Sequence, residues 1–434
     1  MKIAVILGTR PEIIKMAPVI DEIKHRGHEC IIIHTGQHYD DKMSHQFFID
    51  LNLPIPDFNI HVGSASHAKQ TSMMMNRLED KILEINPDLV LIQGDTNAVL
   101  SGALTASKLN IPVGHVEAGL RSFDKTMPEE LNRIIADACS HMYFVPTNSA
   151  AINLESESIP HNKIIVTGNT IVDACKRNLP IATKNHIITI PKGDYLVLTV
   201  HRAENTDNKI RLTNIIESII ELDKQIIFPI HPRTRNILKN EELYNKIKNN
   251  KNIILIEPLG YLDFLYLLSN SKLILTDSGG IQEEAITLSI PCVTLRYNTE
   301  RPETIKVNAN VLVGTDKEKI VSTVNNILNN NEKYEAMTNN INPYGDGTAA
   351  IKILDYIINL FNSNKLSIKP NSDVVEFNKR QLIQINKEIT VGEYEQIHKG
   401  CIINMVFNNG NQEYVENNLN LCNKQAIITY FNRK

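Results

Sequence analysis

The sequence predicts an α/β fold in which two doubly wound domains face each other across a cleft. Short β-branched runs alternate with helical patterns from the N-terminus, which is typical of a parallel sheet covered by helices on both faces. Around residues 180–194, two prolines and a glycine interrupt this alternation, which then restarts. The length of 434 residues also exceeds one ordinary hydrophobic core. We therefore predict two domains joined near this interruption.

The predicted strands follow one another at regular spacing in each half of the chain. In the first domain, residues 1–180, they are KIAVILG, ECIIIHTG, DLVLIQGD, IPVGHVEA, MYFVPT and IIVTGN. In the second domain, residues 190–362, they are YLVLTVHR, QIIFPIHP, NIILIEPL, KLILTDSG, IPCVTLR and NVLVGT. The helical segments KEKIVSTVNNILNN and GTAAIKILDYIINLF complete this part, and we expect the last helix to return to the first domain.

Residues 363–434 form a linker and an appended tail. The segment NSNKLSIKPNSD is polar and contains proline, as linkers do. Farther on, Asn409-Gly410 lies between two strand-like runs, which predicts a β-hairpin. The sequence assigns no role to this tail.

Composition and charge exclude several classes of protein. The 42% apolar and 22% charged residues are ordinary for a globular chain, and a net charge of -4 gives no basic surface for nucleic acid. No apolar run approaches the ~20 residues that span a bilayer, so no membrane partner is expected. The N-terminal apolar run, about six residues long, is too short for a signal peptide. Six scattered cysteines without a C-x-x-C pair favour reduced thiols and a cytoplasmic location.

The first predicted strand ends in a turn that could hold an anion. In GTRPEIIKMAP, Arg10 and Lys15 flank Pro11, a residue favoured at the start of a helix. A helix N-terminus with two cations can bind a phosphate group. The segment matches neither a Walker P-loop nor G-x-G-x-x-G, so ATP and NAD are not indicated. The simpler alternative is a capped helix with a solvated arginine and lysine.

Three carboxylates lie near neighbouring strand ends of the first domain. Asp95 and Glu117 each follow a strand, and Glu129 lies in MPEELNR, four residues before Arg133. Carboxyl ends of parallel strands meet at one edge of the sheet, where ligands bind. Crowded carboxylates raise one another's pKa, which suits a general acid or base. The alternative is that Asp95 and Glu129 serve only the start of their helices.

The second domain offers two histidines and a diglycine turn. His201 and His231 end consecutive strands beside arginines, and a histidine there could assist a leaving oxygen, although a lone histidine is more often structural. Ser278, Gly279 and Gly280 open a helix whose backbone N–H groups could bind a diphosphate, with Glu284 within reach of ribose hydroxyls. No metal is predicted, because His34 and His38 flank a turn and lack a completing cluster.

Taken together, these motifs resemble the non-hydrolysing UDP-N-acetylglucosamine 2-epimerases. The shared motifs are GTRPE, TGQH, GDTN, EAGLRS, PEE-NR, HR-EN, DSGGIQEEA and TERPE, in order over about residues 1–362. The resemblance implies a GT-B fold of two Rossmann-like domains, usually a homodimer, with a UDP-sugar bound in the cleft. It also implies that no cofactor is needed, since the same proton chemistry at C2 runs in both directions.

The resemblance implies interconversion of UDP-GlcNAc and UDP-ManNAc, which would supply ManNAc for cell-surface polysaccharide. UDP would leave by anti elimination to give 2-acetamidoglucal, and would add back after protonation of C2 from the opposite face. The implied catalytic residues are Asp95, Glu117, Glu129 and His201. The implied substrate-binding residues are Arg10, Lys15, Arg133, His231, Phe264, Ser278, Gly279, Gly280, Glu284 and Arg301. Phe264 would lie against the uracil, with core packing as the equal alternative.

Bacterial members often carry a second UDP-GlcNAc beside the active site as an activator. The matching positions are Gln37, His38, Gln70, Glu130 and Arg202, with His231 again nearby. The chain departs from the usual bacterial continuation after TGQH, with HYDDKMSHQFF in its place.

Four other functions compete with this interpretation. A GT-B glycosyltransferase also binds a UDP-sugar, but would not need three acids in the first domain. A hydrolysing epimerase typically lacks the intact GTRPE followed by a lysine. A 2-epimerase of a modified sugar, such as a UDP-diacetamido-uronic acid, would differ in a few loop side chains. A catalytically silent UDP-sugar sensor would not need the acids at all.

Overall fold

A computed structural model describes residues 1–36 and 47–368, together with the backbone of four strands between residues 380 and 432. Its first seven strands form one parallel sheet in the order β3-β2-β1-β4-β5-β6-β7. The bounds are β1 Lys2–Leu7, β2 Glu29–His34, β3 Phe58–Asn59, β4 Leu89–Gln93, β5 Val113–Val116, β6 Met142–Val145 and β7 Ile164–Val166. The order reverses between β1 and β4, and such switch points open a crevice at the carboxyl ends of the strands.

A second parallel sheet follows in the order β10-β9-β8-β11-β12-β13. The bounds are β8 Leu196–Thr199, β9 Ile226–Pro229, β10 Ile253–Ile256, β11 Leu273–Thr276, β12 Cys292–Thr294 and β13 Asn310–Leu312. Its switch point lies between β8 and β11. Every predicted strand is confirmed and the two-sheet α/β fold with it, whereas β3 was missed because two residues carry no periodic pattern.

Helices cover both sheets. The helices of the first half are α1 Arg10–His25, α2 His67–Ile85, α3 Asn97–Lys108, α4 Pro128–Cys139, α5 Asn148–Ser156 and α6 Thr170–Asn185. Those around the second sheet are α7 Ala203–Thr206, α8 Lys209–Glu221, α9 Pro232–Asn240, α10 Leu243–Lys248, α11 Tyr261–Ser269, α12 Gly279–Thr287, α13 Pro302–Lys306, α14 Lys317–Asn329 and α15 Asn331–Thr338. The last is α16 Ala349–Asn362.

The central strand β1 shows why the sheet is buried on both faces. Ile3, Val5 and Leu7 belong to one hydrophobic cluster, while Ala4 and Ile6 belong to another. All five side chains are almost fully buried. Because side chains alternate across a strand, a continuous apolar run fills two cores at once.

The helix α16 packs in the core of the first sheet, although it follows the second sheet in sequence. Its Ile353, Leu354 and Ile357 share a buried cluster with Ile13 and Met16 of α1. The chain thus crosses between the two sheets twice. The exact domain boundaries at residues 180 and 190 stay predictions.

The segment that joins the two parallel sheets differs from the break that the sequence predicts around residues 180–194. Helix α6 continues through Pro180 and ends at Asn185, so the proline does not end it. Residues 186–195 then contain neither helix nor strand.

The tail forms an antiparallel sheet of four strands in the order β14-β17-β15-β16. The strands are β14 Arg380–Gln384, β15 Gly400–Phe407, β16 Gln412–Glu413 and β17 Gln425–Asn432. β15 pairs antiparallel with β16, as the predicted hairpin requires, while the Asn409-Gly410 turn itself lies outside the described residues.

Three further observations concern the described residues alone. None of their helices is both long and apolar enough to cross a membrane. They also contain no group of three or more His, Cys, Asp or Glu side chains that could hold a metal ion. The described cysteines are free thiols, and Cys175 and Cys292 are buried.

Candidate active site

The turn after β1 is tied to the turn after β4 by a buried carboxylate. Glu12 is 2% exposed and accepts hydrogen bonds from the N–H groups of Gly8 and Thr9, at 2.7 and 2.6 Å. Its other oxygen accepts from the hydroxyl of Thr96 at 2.5 Å. Burial raises the pKa of Glu12 to about 7, although these hydrogen bonds oppose the rise. The turn that carries Arg10 is thereby fixed beside the turn that carries Asp95.

Glu117 lies at the centre of an ionic cluster between the two sheets. The ammonium group of Lys15 and the side-chain amide of Gln93 both donate to its Oε2, at 2.5 and 2.7 Å. The guanidinium of Arg301 lies 3.6 Å from its Oε1. Lys15 and Gln93 belong to the first sheet and its helices, whereas Arg301 follows β12, so the cluster crosses the cleft.

The cations, rather than neighbouring acids, set the charge state of Glu117. Burial alone would raise its pKa, but Lys15 and Arg301 outweigh that effect and lower it. Asp95 is likewise paired with a cation, since Arg133 lies 2.5 Å from its Oδ2. The prediction that neighbouring acids raise one another's pKa is therefore wrong for Glu117, because Glu117 and Asp95 each lie beside a cation.

Asp95 does not cap the following helix, so the capping alternative is wrong for this residue. Thr96 is the N-cap of α3, and its hydroxyl accepts from the N–H groups of Ala98 and Val99. The side-chain amide of Asn132 donates to the backbone carbonyl of Asp95 at 2.9 Å. The carboxylate of Asp95 is thus presented to the cleft together with Arg133.

The two adjacent acids of α4 have opposite environments. Glu129 is exposed, while Glu130 is 1% exposed. Glu130 accepts hydrogen bonds from the N–H groups of Ser122 and Phe123, at 2.9 and 3.0 Å, and from Arg133 at 2.8 Å. Glu130 therefore stabilises both the loop before α4 and Arg133, which is the partner of Asp95.

We expect Glu130→Gln to lower the free energy of unfolding by about 1–3 kcal/mol, because an amide nitrogen would face buried donors. Glu129→Gln, the matched change one residue away, should stay within about 0.5 kcal/mol of wild type. Urea denaturation of both variants measures the difference. Equal stability of the two variants would contradict this assignment.

In the second sheet, His201 follows β8 and lies beside a buried acid. Its Nδ1 is 3.5 Å from Oδ1 of Asp277, which is fully buried and accepts the backbone N–H groups of His201 and Arg202. Burial lowers the pKa of His201 despite Asp277, and the charges of Arg202 and His231 act in the same direction. His231 also caps α9 through its Nδ1, so it has a structural task.

The diglycine turn leaves open space at the start of α12. Ser278 is at the N-cap but its side chain makes no capping hydrogen bond. A Cβ on Gly280 would meet nothing within 4 Å, and one on Gly279 would lie 3.7 Å from the carboxylate of Glu300 and 3.8 Å from the guanidinium of Arg202. An open helix N-terminus beside an arginine suits a bound anion.

Behind this turn, two glutamates are buried with different partners. Glu283 lies 2.5 Å from Nε of Arg301 and accepts from Asn169 at 3.0 Å. Glu284 is 7% exposed and hydrogen-bonded to the hydroxyl of Tyr261, and burial raises its pKa to about 7. The described structure therefore joins Arg301 to acids on both sides of the cleft.

The remaining predicted residues lie in mixed settings. Phe264 is half-buried and packs against the second sheet's core, as the packing alternative predicts. Arg10 is exposed, with its guanidinium 5.6 Å from the ring of Phe47. Gln70 donates to the carbonyl of Gly63. Gln37 and His38 lie outside the described residues.

Sequence reasoning gave no site role to five side chains that support the predicted ones: Glu12, Gln93, Asn132, Asp277 and Glu283. Each of them lies within two residues of a predicted site residue, so closeness in sequence is a signal that could have found it. Their contacts cross from one element to another, however, which no local pattern reports.

The arrangement places two carboxylates with paired cations on one wall of the cleft and an open helix N-terminus on the other. Such a site can move a proton while it holds an anionic group.

A family model described as UDP-N-acetylglucosamine 2-epimerase matches residues 21–358 of the chain. The UDP-N-acetylglucosamine 2-epimerase of Methanocaldococcus jannaschii is 52% identical over 369 residues, which cover 82% of this chain and 99% of that protein. The UDP-2,3-diacetamido-2,3-dideoxy-D-glucuronate 2-epimerase of Pseudomonas aeruginosa is 39% identical over 366 residues, 83% of this chain and 100% of that protein.

Among solved structures, the M. jannaschii UDP-GlcNAc 2-epimerase in complex with UDP-GlcNAc and UDP is similar at a TM-score of 0.72. It is 51% identical, and the match covers 83% of this chain and 100% of that one. The residues that the family model matches run from β2 to β13 and include most of α16. The chain belongs to the UDP-N-acetylglucosamine 2-epimerase family.

Proposed function

We propose that the protein interconverts UDP-GlcNAc and UDP-ManNAc by reversible epimerisation at C2. The observation that carries this proposal is the cluster in which Glu117 meets Lys15 and Arg301 across the cleft. A carboxylate and two cations at one point suit the removal of a proton together with the departure of a diphosphate. The 52% identity to a UDP-N-acetylglucosamine 2-epimerase supports the same substrate.

The proposed reaction begins when a carboxylate accepts the C2 proton and the bond between C1 and the diphosphate oxygen breaks. UDP leaves with the bonding electrons, and 2-acetamidoglucal remains. A proton then returns to C2 from the opposite face while UDP adds back to C1. Asp95, Glu117 and Glu129 share the proton transfers, and the lowered pKa of Glu117 keeps this carboxylate ionised, as a group that accepts a proton must be.

The charge that develops on the departing UDP needs fixed donors, often a large contribution to catalysis. Arg10, Lys15 and Arg301 supply positive charge, and the Ser278–Gly280 turn supplies backbone N–H groups. Asp277 holds His201 in place, and His201 assists the departure of the diphosphate. Arg133, His231, Glu284 and Phe264 position the sugar nucleotide.

Two further parts of the proposal rest on the family resemblance: a homodimeric assembly and a second UDP-GlcNAc that acts as an activator. A third part, a cytoplasmic location, rests on the scattered cysteines. Gln37, His38, Gln70 and Arg202 would contact that activator, whereas Glu130, the fifth matching position, is 1% exposed and holds the loop before α4. The product would supply ManNAc for a cell-surface polysaccharide.

A second candidate substrate is a UDP-diacetamido-uronic acid. The 39% identity to a UDP-2,3-diacetamido-2,3-dideoxy-D-glucuronate 2-epimerase supports this alternative. The same C2 chemistry would apply, since the substituents at C3 and C5 do not take part in it.

Incubation of the purified protein with UDP-GlcNAc in D₂O, followed by NMR of the sugar signals, tests the proposal. We expect UDP-ManNAc to form with deuterium at C2, because the proton is exchanged with solvent during each turnover. A parallel reaction with the diacetamido-uronic acid nucleotide compares the two substrates.

Free ManNAc as the product would place the protein with hydrolysing epimerases. Faster turnover of the uronic acid nucleotide would favour the second candidate. No exchange into either nucleotide would contradict the proposed activity.

A further inference from the structure

The loop that presents Glu117 has a backbone that needs support. Glu117 has a φ of 68°, in the left-handed region that non-glycine residues rarely adopt. Two residues later, Gly119 has a φ of 77°, and a Cβ there would lie 2.3 Å from the carbonyl oxygen of Ala150. Such conformations persist where the surroundings fix them, and they are common in active sites.

A buried carboxylate from α4 provides that support. Asp137 is 1% exposed, and its Oδ2 accepts the N–H of Gly119 at 3.2 Å and lies 2.7 Å from the guanidinium of Arg121. Its Oδ1 is 2.7 Å from Nδ1 of His115. Asp137 therefore stabilises the loop that begins at Glu117 through its contacts with Gly119 and Arg121.

His115 links Asp137 to the neighbouring turn, which carries Asp95. It is fully buried in β5, two residues before Glu117. Its Nε2 lies 2.8 Å from the carbonyl oxygen of Gly94, the residue that precedes Asp95. One imidazole therefore joins the backbones behind both acids.

The partners of His115 determine where its hydrogens are. A peptide carbonyl can only accept a hydrogen bond, and Asp137 already accepts from an N–H group and pairs with an arginine, as an ionised carboxylate does. Both ring nitrogens therefore face acceptors, an arrangement that suits a hydrogen on each of them. The carboxylate of Asp137 would balance the charge of such an imidazolium, as burial of a charge requires.

We propose that His115 and Asp137 form a positioning pair that sets the geometry of Asp95 and Glu117 for proton transfer at C2 of the sugar. The pair does not touch the substrate and acts through the two turns. This inference rests on the proposed roles of Asp95 and Glu117.

Two substitutions of His115 separate its two bonds. Asn places its amide near the position of Nδ1 and can still donate to Asp137, whereas Gln places its amide near Nε2 and can still donate to Gly94. We expect kcat to fall about 10- to 100-fold in both, because small displacements of reacting groups have effects of this size. KM and UDP affinity should change less than about threefold, since the binding groups are elsewhere.

His141→Asn is the matched control. His141 also contacts β5, but at its opposite end, where its Nδ1 accepts the N–H of Val113 at 3.2 Å. Asn can keep that bond, so this variant should retain wild-type kinetics. Thermal unfolding confirms that each variant is folded before its kinetics are compared.

A neutron structure of the wild-type protein tests the pair without any variant. We expect deuterium on both ring nitrogens of His115 and none on the carboxylate of Asp137. A single deuterium on the ring would overturn the assignment of charge and of the pair.

The kinetic outcomes distinguish this inference from the proposed function. An inactive wild-type enzyme would refute the proposed function itself. An active wild type, with folded His115 variants that keep its kcat or lose only substrate affinity, would refute the positioning pair.

Discussion

Glu117→Gln is expected to lower kcat for C2 epimerisation by about 10²- to 10⁴-fold, the range typical of a general acid or base. The amide keeps the size of the side chain and cannot accept the C2 proton. In the structure this carboxylate receives hydrogen bonds from Lys15 and Gln93, and although burial would raise its pKa, the charges of Lys15 and Arg301 keep the pKa low. Proton exchange at C2, followed in D₂O, measures the loss directly.

The same variant should bind UDP at least as tightly as the wild type. Removal of the negative charge frees Lys15 and Arg301, which lie 2.5 and 3.6 Å from the carboxylate, to interact with the diphosphate. Calorimetric titration with UDP measures this affinity. Glu155→Gln is the control, because Glu155 is also buried but pairs with His161 outside the cleft. Wild-type turnover in Glu117→Gln would refute the catalytic role.

Arg301→Met should impair both stability and activity, because it leaves two buried carboxylates without their shared cation. Arg301 lies 2.5 Å from Glu283 and 3.6 Å from Glu117. Breaking a buried ion pair from one side costs about 3–5 kcal/mol. The loss of a charge that stabilises the leaving diphosphate should lower kcat by about 10²- to 10³-fold.

A double variant separates these two effects. Addition of Glu283→Gln to Arg301→Met removes the unpaired carboxylate behind the turn, so most of the lost unfolding free energy should return. The activity should not return, because the missing cation is still absent from the diphosphate site. Recovery of both properties would show that Arg301 is structural, and recovery of neither would show that Glu283 is not its main partner.

The sequence could predict the sheets because their signals are local. Apart from β3, each strand of the two parallel sheets lies in an apolar run, and the runs are separated by helical periods or turns. The two-residue β3 has no such run, and the helix through Pro180 shows that tertiary contacts can maintain a helix past a proline. Chain order and strand ends then placed most candidate residues at one edge of each sheet.

The sequence by itself determined which chemical groups are available at the strand ends: Asp95, Glu117, His201 and the Ser278–Gly280 turn. It could not determine their charge states, because these depend on partners far away in the chain. Lys15 meets Glu117 across 102 positions, and Arg301 joins Glu117 to Glu283 from the other sheet. Only the tertiary structure decided that the acids lie beside cations rather than beside one another. In a buried site, the pKa of each group depends strongly on the nearest opposite charge.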